Sequence, residues 1–149
     1  MINPSDYYKY LIDLCKDQSE LDNPLFQNIP KIFRTITNLL KSEDLSSEER
    51  NQLFVVVGYF FIPDDLYPEE TMGVDGLIDD VLLAMFVIEN IAAKYGNGFI
   101  AMNSPLTEEE IDDILNEHFV QLRITHFNIY KEVLAYTGLI DDQDVSSLG

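Results

Sequence analysis

Residues 53–88 read LFVVVGYFFIPDDLYPEETMGVDGLIDDVLLAMFVI, and this stretch decides the architecture. Two apolar runs, Leu53–Pro63 and Leu77–Ile88, flank a bend that carries two prolines and a dense set of carboxylates. Neither run alternates with the two-residue period of a half-buried strand. Leu53, Val56, Val57 and Phe60 recur instead at helical spacing. Pro63 stops that helix, because proline offers no amide to the ladder, and Pro68 stiffens the turn behind it. From about Gly76 to Lys94 a second helix is expected, apolar on most faces between Val81 and Ile88, which predicts a central rod surrounded by others.

Working outward, Ser46-Ser47-Glu48-Glu49 has the pattern of a capping box that opens the first of these helices. Tyr95-Gly96-Asn97-Gly98 ends the second as a turn. A second capping box, Thr107-Glu108-Glu109-Glu110, opens the last helical region. Its buried stripe is Ile111, Ile114, Leu115, Phe119, Leu122, Phe127, Tyr130, Val133 and Leu134. That region is either one helix ending at Gly138 or two broken near Thr125. Toward the N-terminus, helices are expected over Ser5–Lys16, with Ser5 as N-cap, and over Pro30–Lys41. The connection Asp17–Asn28 is polar and turn-rich. The expectation is one all-α domain over residues 1–149, a compact orthogonal bundle of about five to six helices. The acidic tail 141–149 is expected to fray.

Charge restricts the function classes. The chain has 27 acidic and 9 basic residues, net −18. Residues 1–50 hold 9 acids and 6 bases, net −3, leaving 18 acids and 3 bases, net −15, for residues 51–149. Direct nucleic-acid binding is not expected, because phosphate recognition needs clustered Lys and Arg. A basic protein partner or bound cations fit better, beside the plainer reading that acidic surfaces keep proteins soluble. Met1–Tyr10 has no basic head followed by an apolar run, so no secretory signal is expected. The lone Cys15 excludes an intrachain disulfide and fits a reducing, cytoplasmic setting. Both long apolar runs fall short of the roughly 20 residues of a membrane span, leaving only a membrane-dipping hairpin over Leu53–Ile88 as a third reading.

The stretch Tyr59–Asp80 also carries a pattern: Tyr59, Pro63, Asp64, Asp65, Leu66, Pro68, Glu69, Gly76, Leu77, Asp79 and Asp80. It resembles the YkvA-like family, a domain of unknown function. Members have an apolar helix, a Pro-x-Asp-x-x-Pro-Asp turn, a glycine and an Asp-Asp pair opening the next helix. Glu69 stands where the family has aspartate, and the Glu69–Asp75 connection is about one residue longer and more acidic. The resemblance covers residues 54–88. It implies a small helical domain, sometimes attached to membrane segments, and supplies no reaction.

Read from the residues alone, Asp75 is a candidate cap for the second helix, with Asp79 and Asp80 near the positive end of its dipole. Such carboxylates hold a corner together without a ligand. Yet Asp64, Asp65, Glu69, Glu70, Asp75, Asp79 and Asp80 place seven carboxylates in the 17 positions 64–80 with no Lys or Arg among them. Mg²⁺ and Ca²⁺ take oxygen ligands of this kind, which makes Asp65, Asp79 and Asp80 the candidate metal ligands, although the spacing is not that of a calcium loop.

No other cofactor is implied, and no catalytic set stands out. His118 and His126 lie eight positions apart, about 12 Å of helical rise, too far to share a metal on one continuous helix. They are expected at a helix surface or interface. Cys15 has no adjacent base and is expected as a structural thiol. No phosphate-binding glycine loop and no nucleophile elbow occurs. Tyr7, Tyr8 and Tyr10 cannot all face inward on one helix, so at least one lies near the surface.

The leading expectation is a non-enzymatic interaction module, adaptor-, immunity- or antitoxin-like, whose anionic corner and C-terminal half dock a basic partner. A DNA mimic is one version. The alternative is a divalent-cation-binding protein or metal-dependent enzyme using Asp65, Asp79 and Asp80.

Overall fold

The computed structural model of the chain describes residues 4–16, 24–61 and 77–140. Among them every regular element is helical and no strand occurs, as the all-α reading requires. Helix α1 spans Pro4–Lys16, a 3₁₀ turn spans Pro24–Asn28, and α2 follows directly over Ile29–Leu40. Helices α3 (Ser47–Phe61) and α4 (Ile78–Tyr95) are the two arms of the corner. A short α5 covers Asn97–Met102. Helix α6 (Glu108–Asp113) runs through a π-helical turn, Ile114–His118, into α7 (Phe119–Thr125), and α8 covers Phe127–Thr137.

Helix α4 is the centre. Every residue from Ile78 to Met85 is buried, followed by Val87, Ile88, Ile91 and Ala92. The cause is compositional: no polar side chain interrupts Val81–Ile88, so each face of the rod gains by being covered. Helices α2, α3, α5, α7 and α8 pack around it. Helix α2 buries Ile32, Phe33, Ile36 and Leu39 on one side, and α3 buries Leu53, Val56, Tyr59 and Phe60.

Local chemistry sets several boundaries. At the start of α3 the Ser46 amide donates to Glu49 Oε1 at 2.8 Å, and the Glu49 amide donates to Ser46 Oγ at 3.1 Å. Thr107 and Glu110 repeat the arrangement at α6, at 3.0 and 3.1 Å. Gly96 ends α4 with φ 94° and ψ 156°, and Gly138 closes α8 in the left-handed region at φ 76°. Both torsions favour a residue without Cβ.

Other expectations change in detail. Helix α1 already includes Pro4, so Ser5 lies inside the first turn and does not cap it. The polar Asp17–Asn28 connection ends in a 3₁₀ turn that buries Leu25 and Phe26. Gly96-Asn97-Gly98 is a turn that becomes a helix, because Asn97 starts α5 and Ile100 reaches the core. The last region is broken at His126, whose φ of −119° and ψ of 43° leave the helix, one residue past Thr125. With α5 counted and Glu108–Thr125 taken as one rod, the described residues form seven rods where five to six were expected. Tyr7 is buried, Tyr8 half-buried and Tyr10 40% exposed, which divides the tyrosine trio as anticipated. Ile12, although apolar, is exposed on α1.

Candidate functional site

The corner is built from the last turn of α3 and the first turn of α4. Leu77 occupies the cap position of α4 and brings no side-chain hydrogen bond, so Asp79 and Asp80 stand at its second and third helical positions. Both are 0% exposed. Tyr59, also buried, donates its hydroxyl to Asp79 Oδ2 at 2.6 Å. A buried carboxylate is costly unless its oxygens are satisfied. Here the tyrosine hydroxyl and the positive end of the helix dipole act in the same direction. Both aspartates have further interactions besides.

Neighbouring aromatics fix the last turn of α3. Tyr7 donates to the Phe60 carbonyl at 2.9 Å, satisfying an acceptor that the helix end leaves open. Its ring lies 4.8 Å from that of Phe61 and 5.0 Å from that of Phe33. On the other side Tyr136 of α8 meets Tyr59 edge-on at 6.1 Å.

Of the residues singled out in the sequence, the structure therefore brings together Tyr59 and Asp79, with Asp80 beside them. Pro63, Asp64, Asp65, Pro68, Glu69, Glu70, Asp75 and Gly76 lie outside the described residues. Asp79 and Asp80 point into the core, so they do not belong to an outward docking surface. The sequence signal was available: both precede an uninterrupted apolar run in a helix buried on all sides. As oxygen donors they could hold a hard cation. Among the described residues no three His, Cys, Asp or Glu converge as a metal site.

A second acidic region lies within the C-terminal half. Between Lys94 and Arg123 the chain has no base and six acids, Glu108, Glu109, Glu110, Asp112, Asp113 and Glu117. Two of them have internal tasks. Glu110 closes the α6 capping box, and the Thr107 amide, then its hydroxyl, hold the Glu110 carboxyl below its usual range. Asp112 accepts from Asn97 Nδ2, tying α6 to α5. Glu109, Asp113 and Glu117 are exposed and repeat every four residues, forming a ladder of like charge that runs into the π-helical turn. π-Helical turns occur frequently at functional sites. Among the described residues the ion pairs are Lys94 with Glu49 at 3.3 Å and Arg123 with Glu89 at 3.5 Å, and neither touches this ladder.

Glu49 has a structural part beyond its cap. It also accepts from the Tyr95 hydroxyl at 2.7 Å and pairs with Lys94, fastening α3 to the end of α4. Burial works to raise its carboxyl pKa, but the Ser46 amide, the Tyr95 and Ser46 hydroxyls and Lys94 together outweigh it and lower the value to about 2. His118 sits half-buried in the π-helical turn, and His126 is half-buried at the α7–α8 break. The Cys15 side chain lies outside the described part.

No helix among the described residues is long and apolar enough to cross a membrane. No family model matches the chain. No solved structure matches it either. Among curated proteins, an uncharacterised protein designated ORF9 from Methanothermobacter thermautotrophicus is similar, at 28% identity over 68 residues. The match takes in 46% of this chain and 47% of that protein. The chain thus spans about half the length of this curated relative.

Proposed function

We propose that the chain is a non-enzymatic, cytoplasmic interaction module, an orthogonal bundle of YkvA-like type, that docks a basic protein surface through α6 and the adjoining π-helical turn. The observation that carries this reading is the exposed ladder Glu109, Asp113 and Glu117, which forms no ion pair with a described Lys or Arg. Like charges four residues apart on a helix cost a few tenths of a kcal/mol per pair, about 0.2–0.5. A partner presenting Lys or Arg at matching intervals removes that repulsion and is drawn in by the wider anionic field. An adaptor, an immunity protein or an antitoxin-like neutraliser would use such a surface.

Capture from lysate on the immobilised chain tests it, with a Glu109→Gln/Asp113→Asn/Glu117→Gln column run in parallel. Basic proteins released by salt from the first column and missing from the second are the expected result. Identical eluates from both columns, or none, contradict it.

A second reading is favoured by the burial of Asp79 and Asp80: a divalent cation held at the corner, with Asp65 as the third candidate ligand. Melting curves in Mg²⁺, Ca²⁺ and Mn²⁺ separate the two. A site gives preference for one ion that Asp80→Asn abolishes, whereas screening of surface charge treats the three ions alike.

A further inference from the structure

From Leu53 to Phe61, α3 is apolar on every side, a composition suited to a helix covered all round. Its inner side is buried. Its outer side is open: Phe54 is 61% exposed, Gly58 is exposed and Val57 is half-buried. Phe54 and Val57 form one wall of a groove of about 360 Å³, and Arg34, Thr37 and Leu40 of α2 with Lys41 at its C-cap form the other. A Cβ added at Gly58 would meet nothing within 4 Å, so the helix surface beside the groove is smooth and accessible.

The charge of the groove is opposite to that of the chain. Acids outnumber bases 27 to 9, yet no carboxylate is among the described residues that line it. Arg34 and Lys41 form no ion pair with any described carboxylate. The Arg34 guanidinium rests over the Tyr8 ring at 4.1 Å, which holds it in place. Arg34 and Lys41 are seven residues apart, about 10 Å along the helix. That matches the i to i+7 spacing of side chains two turns apart on one face of a helix docked in a groove.

We propose that the α2–α3 groove binds an amphipathic helix of a partner protein, whose apolar stripe covers Phe54, Val57 and Leu40 and whose flanking Asp or Glu side chains pair with Arg34 and Lys41. The net charge of −18 opposes such a partner at long range. Screening limits that repulsion to about 8 Å at physiological ionic strength, and within that distance the two local cations dominate. The groove uses different helices from the acidic ladder, so either surface can fail without the other.

A displayed library of helical peptides, each about five turns long, selected against the full chain, tests the proposal. Selected peptides are expected to carry an apolar stripe at i, i+3/i+4 and i+7 with acidic flanks. They should bind about tenfold more weakly to Phe54→Ser and to Arg34→Glu/Lys41→Glu. Their Glu-to-Lys twins should bind the charge-reversed chain better than the wild type. A photocrosslinker in the stripe should label Leu40, Phe54 or Val57 of the wild-type chain, a readout that needs no variant. Enrichment of basic peptides indifferent to these changes would overturn it. So would sedimentation showing a dimer that Phe54→Ser dissociates, since a second copy would then be the occupant.

Discussion

The hydroxyl of Tyr59 in α3 donates a 2.6 Å hydrogen bond to the buried carboxylate of Asp79 in α4, joining residues 20 positions apart across the corner. Removing that donor leaves a buried acceptor poorer by one partner, a loss of about 1–3 kcal/mol. Tyr59→Phe is therefore expected to lower the urea midpoint with an unchanged m-value. Tyr136→Phe, at a 58% exposed ring whose edge contact with Tyr59 remains, should leave the midpoint within error.

Glu49 gives a pH dependence with a defined sign. Its folded pKa of about 2 lies below the ordinary 4.5, so its stabilisation is present above the unfolded value and disappears as pH falls through the folded one. After allowance for solvent screening the contribution is about 1–2 kcal/mol. Glu49→Gln should thus be less stable than wild type near neutrality, with the gap closing between pH 4.5 and 2. Paired denaturant titrations across that range measure it.

The two glycine helix ends should respond unequally. Gly138 has the left-handed torsion that alanine tolerates at about 1 kcal/mol. Gly96, at φ 94° and ψ 156°, lies in a region that is essentially confined to glycine, where the cost is about 1–3 kcal/mol. Thermal melts of Gly96→Ala and Gly138→Ala should rank in that order, with Gly96→Ala the less stable.

These effects show which parts of the molecule are legible in the sequence. Ser46 with Glu49 and Thr107 with Glu110 form within four residues, so their chemistry could be read before any tertiary contact was known. The central place of α4 follows from an apolar run with no polar face to turn toward water. The bridge from Glu49 to Tyr95 joins residues 46 apart and leaves no local pattern. The π-helical turn at Ile114–His118 changes the hydrogen-bond register without a proline or glycine to announce it. Charge density drew attention to positions 64–80, but density does not distinguish inside from outside. Asp79 and Asp80 lie in the core, while the exposed ladder of α6 was hidden by its neighbours' capping duties.

The docking account rests on Asp113, the middle rung of that ladder, and Asp113→Lys tests it most directly because stability and binding should move in opposite directions. A lysine between Glu109 and Glu117 replaces repulsion with attraction, so the melting temperature should hold or rise by the equivalent of up to about 1 kcal/mol. Capture of basic proteins from lysate should fall sharply in the same variant. Undiminished capture by a fully folded Asp113→Lys chain would contradict the account.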